Sequence, residues 1–390
     1  MFYELATPTW GQEEIEAINR VIASGQFTMG PNVRAFEEAF AAYFGAKHAV
    51  MVNSGSSANL VAVAAFFHKK DRPLQRGDEV IVPAISWSTT YHPLQQYGLK
   101  LKFVDVELET LNMDVSKLEA ALGARTRMIL AVSILGNPAA LDAMRRFADA
   151  QGLFFMEDNC ESMDAELAGR KAGTFGDVGT HSTFFSHHIS TMEGGMVITD
   201  DTELAHLMRV IRNHGWTRDL PPDSPVYRRS GSDFYEAYKF IMPGYNVRPI
   251  ELSGAIGVEQ LKKLPGMTVQ RRRNMALFHQ LLGKDPRFII QRENGKSSAF
   301  SFTIILNPER NIARERVFAA LKEADIGFRI ITGGNFLRHP AIKYFDYEVV
   351  GGSTPNADTA HDHGFFVGNH PTDLTAQIER LHHVLDRTCN

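Results

Sequence analysis

Hydrophobic and polar positions change their period along this chain in a way that divides it. From about residue 44 to residue 200, short runs rich in β-branched residues recur, each followed by a stretch whose apolar positions fall three and four apart. The runs are His48–Asn53, Glu79–Ala84, Lys100–Val106, Arg127–Leu135, Phe154–Asn159, Gly179–Phe185 and Met196–Thr199. Ser57–Lys69, Ser116–Leu122 and Leu141–Ala150 carry the helical period between them, and Glu13–Ala23 and Arg34–Phe44 carry it before the first run. This alternation predicts an α/β unit on a mostly parallel seven-stranded sheet flanked by helices. After residue 201 the pattern turns to long helical runs, Glu203–Asn213, Glu251–Lys263 and Thr268–Leu282, with a polar, Pro- and Arg-rich connection over Arg218–Ser232. A strand over Ala299–Leu306, a helix over Ala313–Asp325, a strand over Ile326–Ile331 and a helix over Leu374–Leu385 then predict a smaller α+β unit. The expected division is a large unit over residues 1–250 and a smaller one over 251–390.

Composition narrows the function. Hydrophobic residues make up 44% and charged residues 22%, ordinary globular usage that excludes a disordered chain. Lys and Arg number 41 against 45 Asp and Glu, a net charge of −4 with neither sign massed, so neither nucleic acid nor an anionic membrane is an expected partner. The only cysteines, Cys160 and Cys389, supply no disulfide framework and no four-thiolate site for zinc or an iron–sulfur cluster. The amino terminus shows no basic, apolar leader and the longest apolar stretch is far short of a membrane span, so a cytoplasmic location is expected.

Candidate chemistry sits where predicted strands end. Asn53-Ser54-Gly55-Ser56-Ser57 opens a helix, and a Gly-Ser-Ser turn there presents free amides and the positive helix end to a phosphate. The same residues equally suit a plain helix cap. Phe154–Asp158 is an apolar strand ending in carboxylates, which places Asp158 and Glu161 toward a ligand or in a solvated turn. Trp87, after Pro83-Ala84-Ile85-Ser86, can stack on a planar group or fill core. A fourth segment runs Thr183-Phe184-Phe185-Ser186-His187-His188-Ile189-Ser190-Thr191-Met192-Glu193-Gly194-Gly195.

These segments in this order, with Gly244-Tyr245-Asn246-Val247-Arg248 after them, resemble the DegT/DnrJ/EryC1/StrS sugar aminotransferases, a family of fold-type I pyridoxal-phosphate enzymes. The resemblance spans nearly the whole chain. It implies pyridoxal 5′-phosphate and pyridoxamine 5′-phosphate as cofactor forms, with phosphate held by Gly55, Ser56, Ser57 and Thr183, the last standing where the family usually has serine. It further implies that Trp87 covers the ring, that Asp158 pairs with its nitrogen, that Glu161 and His214 lie beside it, and that Asn246 arrives from the neighbouring subunit of a homodimer. Arg248 and Arg329 are substrate-binding candidates.

One departure changes the expected reaction. The family's fourth segment carries a lysine that links covalently to the cofactor, and here no lysine occurs between Lys171 and Lys239. His188 is assigned to that position, with His187 as a structural neighbour. An imidazole can still move protons near neutrality. The string resembles the family's sugar 3-dehydratases, the branch without an iron–sulfur cluster. That implies removal of the 3-hydroxyl from a nucleotide-linked 4-keto-6-deoxy sugar, GDP-4-keto-6-deoxy-D-mannose of the colitose route, with L-glutamate as amino donor. A nucleotide-sugar aminotransferase using another lysine and a catalytically inactive homologue are the alternatives.

Overall fold

The computed structural model describes residues 2–389. Each of the seven β-branched runs forms a strand: β1 (His48–Val52), β2 (Glu79–Pro83), β3 (Lys100–Val104), β4 (Thr126–Val132), β5 (Phe154–Asp158), β6 (Val178–Ser182) and β7 (Gly195–Thr199). Their side chains are buried almost throughout, as a sheet covered on both faces requires. The sheet has an eighth strand that the periodicity did not signal. Tyr347–Val349 pairs in parallel with β3 at the edge, giving the order β1-β7-β6-β5-β4-β2-β3 followed by this strand. Only β7 runs antiparallel to its neighbours.

Helices α1 (Gln12–Ser24) and α2 (Pro31–Phe44) precede β1, and α3 (Gly55–Phe67), α4 (Ser88–Gln96), α5 (Leu141–Gln151) and α6 (Thr202–Ile211) are distributed among and after the strands. Helix α3 is apolar around its circumference because it lies between the sheet and α6, contacting both. The two helices expected over Glu251–Lys263 and Thr268–Leu282 are one, α7 (Glu251–Leu282), which continues through Pro265. An interior proline costs about 3 kcal/mol. Burial on either side offsets it: Leu261 and Leu264 pack with Phe36 and Phe40 of α2, while Met275 and Phe278 enter the core of the smaller unit.

That smaller unit is a four-stranded antiparallel sheet of Phe288–Ile290, Ser301–Leu306, Gly364–Gly368 and Phe328–Arg329, in that spatial order. Helices α8 (Arg314–Glu323) and α9 (Thr375–Thr388), with Phe278, Phe302, Phe365 and Leu381, complete its core. Between these elements the chain crosses back: Ile331, Phe336, Ala357 and Ala360 pack into the core of the large sheet. Among the described residues no helix is long and apolar enough to cross a membrane.

Candidate active site

A cavity of about 370 Å³ lies over the carboxyl ends of β1, β2, β4, β5 and β6, where Ser54–Ser56, Ser86–Trp87, Val132, Asp158 and Ser182 meet. Ligands of open α/β sheets occupy that position. Phe300 and Phe366 close the cavity from the smaller sheet. Trp87 stands at its mouth, 58% exposed.

The helix-opening turn is built for an anion. Ser54 caps α3 by accepting the Ser57 amide at 3.0 Å, leaving the Gly55 and Ser56 amides at the positive helix end without intrahelical acceptors. Gly55 is required by close approach: a Cβ there would stand 2.6 Å from Ser182 Cβ and 3.0 Å from Cys160 Sγ. Ser56 faces the cavity and donates to Thr89 Oγ1 at 2.9 Å. Ser57 turns aside, its hydroxyl donating to Asn53 Oδ1 at 2.6 Å, so the side chain does not line the cavity.

Asp158 ends β5 with its carboxylate fixed by three donors. Oδ2 accepts from Asn59 Nδ2 and from Thr90 Oγ1, each at 2.8 Å, and Oδ1 accepts the Cys160 amide at 3.1 Å. Thr180 in turn orients the Asn59 amide by donating to its Oδ1 at 2.7 Å. Sequence reasoning missed Asn59 and Thr90. The signal for Asn59 was present, as the one polar residue in the stretch Ala58–Phe67.

Geometry separates the two adjacent histidines, and the imidazole on the cavity wall is that of His187. Its Nδ1–H donates to the Cys160 carbonyl at 2.5 Å, which fixes the tautomer and leaves Nε2 with a free lone pair. Burial pushes this imidazole down to about 4, so it is neutral at physiological pH. His188 does not line the cavity. It is 1% exposed, its Nε2 bonds the Ser298 carbonyl at 3.2 Å, and burial, with Arg271 and His187 nearby, holds it well below the usual histidine range. The expectation for His188 therefore shifts by one residue, and Thr183 shifts with it. Thr183 is fully buried against Thr191, with hydroxyl oxygens 2.6 Å apart, whereas Ser182 lines the cavity beside Gly55.

Glu161 lines the cavity, and burial pushes its carboxyl up to about 7. The remaining expected residues lie outside the cavity formed by one chain. Asn246 is exposed and accepts from Arg248 Nε at 3.0 Å, and His214 is exposed at the turn before Gly215. Arg329 is exposed on the short strand Phe328–Arg329.

With these features in place, the profile of the DegT/DnrJ/EryC1/StrS aminotransferase family matches residues 8–386. The chain belongs to this family. It is 51% identical over 387 residues to GDP-4-keto-6-deoxy-D-mannose 3-dehydratase of Yersinia pseudotuberculosis, covering 99% of this chain and 98% of that protein. Two solved structures share its fold at 47% identity. One is GDP-4-keto-6-deoxymannose-3-dehydratase with a trapped PLP-glutamate geminal diamine, with a TM-score of 0.96 and coverage of 98% of this chain and 100% of that one. The other is a ColD variant in which a serine and the histidine after it are replaced by asparagine and lysine, with a TM-score of 0.95 and coverage of 97% and 100%.

Pyridoxal phosphate is the cofactor of this family member, and the donor set fits it. A helix end with a hydroxyl on either side suits the phosphate, and the close approach at Gly55 leaves backbone amides unobstructed. A carboxylate held by three donors suits a pyridinium nitrogen.

Proposed function

We propose that this chain is a nucleotide-sugar 3-dehydratase that removes the 3-hydroxyl of GDP-4-keto-6-deoxy-D-mannose, using L-glutamate as amino donor, and that it works as a cytoplasmic homodimer. The observation that carries this reading is a neutral imidazole on the cavity wall where, among the described residues, no lysine lines the cavity. Aminosugar formation in this family relies on a primary amine of the protein, whereas proton removal and delivery need only a positioned base. The dehydratases of Yersinia pseudotuberculosis and of the solved structures support the GDP-linked substrate. The serine–histidine pair altered in the ColD variant supports His187 as the base, since Ser186-His187 is the one Ser-His dipeptide in this chain.

Gly55, Ser56 and Ser182 would hold the cofactor phosphate, with Asn246 of the partner subunit completing that site, and Asp158 would hold the ring nitrogen. Bound there, the cofactor supplies an amine for the sugar's C4 ketone and a conjugated ring that absorbs negative charge. His187 accepts a proton at Nε2 and returns it, while its Nδ1–H bond to Cys160 keeps the ring oriented. Phe300 packs edge-on against the imidazole, with ring centroids 5.4 Å apart, and Trp87 stands at the mouth. Both half-reactions, with glutamate and with sugar, require proton movement at one carbon, so one imidazole serves both. The product, a 3,6-dideoxy-4-keto sugar, would enter O-antigen deoxysugar synthesis.

The deciding experiment incubates the protein with pyridoxal phosphate, glutamate and GDP-, CDP- or dTDP-linked 4-keto-6-deoxy sugars, read by mass spectrometry. Loss of one oxygen from the GDP sugar, with 2-oxoglutarate formed, is expected. An aminosugar product, or a borohydride-trapped cofactor on the unaltered chain, would establish the aminotransferase instead.

A further inference from the structure

We infer that Glu161 is the general acid of the sugar half-reaction, donating the proton with which the 3-hydroxyl leaves as water, so that His187 acts as base toward carbon. The inference rests on the dehydratase reading and assigns its second proton.

Glu161 is held in an unusual way. Its Oε2 accepts two hydrogen bonds, from the Leu135 amide at 3.0 Å and from the Thr332 hydroxyl at 3.1 Å. Both donors belong to residues in the left-handed backbone region, with φ of 52° at Leu135 and 39° at Thr332, conformations that strain a non-glycine residue. Each is kept in place from outside the site. Gly136 beside Leu135 accepts the Ser298 amide at 2.9 Å, and Ser298 is the residue whose carbonyl bonds His188. Thr332 follows Ile331, fully buried in the core of the large sheet. Two strained segments thus converge on one carboxylate oxygen. The other, Oε1, makes no hydrogen bond among the described residues, and the side chain opens on the cavity.

The consequence concerns where a proton can sit. An oxygen that already accepts two donors is a poor place for it, so a protonated Glu161 carries its hydrogen on Oε1, facing the cavity. The charges around the carboxyl favour that form. Burial chiefly, with a smaller push from Asp158, raises it to about 7 against the lowering effect of the Leu135 and Thr332 hydrogen bonds, while Cys160 and His187 on the same wall are neutral, the thiol pushed up and the imidazole pushed down by burial. Of the other residues lining the cavity, Thr332 and Phe300 contribute no charge, and Glu193 is a further carboxylate. A group poised near neutrality suits proton donation at physiological pH.

The proton balance is complete without a further reactant. The C3–O bond breaks with its electron pair leaving on oxygen, and that oxygen takes the Glu161 proton and departs as water. The pair lost from the sugar framework is replaced by the pair of the C–H bond whose proton His187 accepts. One proton therefore sits on His187 and one has left Glu161, and transfer between them through solvent resets both.

The test compares Glu161→Gln with wild type. Glutamine keeps an oxygen for Leu135 and Thr332 and loses the acidic proton. Glutamate conversion involves no departing hydroxyl, so rapid mixing should show it slowed by less than tenfold, with loss of the 3-hydroxyl slowed by about 100-fold or more. A readout free of turnover comes from difference titration of the cofactor-free proteins. Between about pH 5.5 and 8.5 the wild type should release close to one proton per chain more than the variant. Equal slowing of both half-reactions, or identical titration curves, overturns the inference. Wild-type protein that gives no deoxysugar from any nucleotide sugar overturns the dehydratase reading and this inference together. An active wild type with an unslowed variant overturns this inference alone.

Discussion

His187→Asn and His188→Asn remove neighbouring imidazoles whose surroundings differ enough for the effects to be separated. Asparagine at 187 can still donate to the Cys160 carbonyl but cannot accept a proton from carbon. Loss of a positioned general base costs about 10²–10⁴ in rate, or roughly 2.7–5.4 kcal/mol of barrier. Both half-reactions should fall by that factor, because both use the same Nε2. At position 188 the losses are a hydrogen bond to Ser298 at 3.2 Å and a ring contact with Phe300 at 5.4 Å between centroids. Together these are worth about 1–3 kcal/mol of stability, partly offset because the buried Nδ1 of His188 has no partner to lose. His188→Asn should therefore lower the melting temperature by a few degrees and leave each half-reaction within about tenfold of wild type.

The assay is stopped-flow absorbance of the bound cofactor, first with glutamate and then with the nucleotide sugar, alongside calorimetric melting. A lysine series adds a covalent readout: His187→Lys should give a cofactor adduct that borohydride traps, and His188→Lys should not. The pH profile follows from the same geometry. The imidazole of His187 is pushed down to about 4, so its base form persists as pH falls through the ordinary histidine range, and the acid limb of the glutamate half-reaction should lie below pH 6.5. Abolition of both half-reactions by His188→Asn, with His187→Asn within tenfold of wild type, would refute the assignment.

Three further outcomes test other parts of the site. Gly55→Ala places a Cβ 2.6 Å from Ser182 Cβ, so cofactor affinity measured by equilibrium dialysis should fall roughly ten- to a hundredfold, and an unchanged Kd would dismiss the helix-end phosphate site. Asn246→Ala mixed with His187→Asn should regain activity after subunit exchange, because one hybrid site receives an intact asparagine together with its own histidine; no recovery would mean that the site is not shared. His181 is fully buried between Phe40 and Phe44 with both ring nitrogens unpartnered, and burial pushes it down to about 3. Its neutral form gives stability that is complete above the unfolded value near 6.5 and lost as pH falls from there toward 3. His181→Leu should reduce the loss between pH 7 and 4.5 by about 2–3 kcal/mol in urea titrations, and an unaltered acid slope would count against it.

Much of the architecture is legible because burial writes itself into residue type. The seven buried strands are apolar runs, most of them with β-branched residues, whereas the eighth, Tyr347–Val349, is a three-residue edge strand with exposed Tyr347 and Glu348, too short and too polar to leave a period. The strand Gly364–Gly368 begins and ends in glycine, and the course of α7 through Pro265 depends on cores at both its ends, which no local window contains. Cavity-lining residues at strand ends were legible for a related reason. Gly55, Ser56, Trp87, Asp158 and Glu161 sit where a buried strand gives way to a turn, and the change of pattern marks the position.

The loop after β6 offers no such mark, and that explains why its two misplaced residues are a single displacement. Thr183 and His188 are five residues apart, as are Ser182 and His187, so a hydroxyl and an imidazole at the family's spacing fit the sequence in either register. The adjacent histidines remove the one feature that would otherwise fix it. Three-dimensional packing breaks the tie: Thr183 closes on Thr191 and His188 on Ser298, inside the protein, while Ser182 and His187 line the same cavity. Asn246 and His214 are a different case. They are exposed in one chain and outside its cavity, so a role for them at the cofactor depends on a second copy or a rearrangement bringing them there, and for Asn246 the mixed-subunit experiment tests that dependence directly.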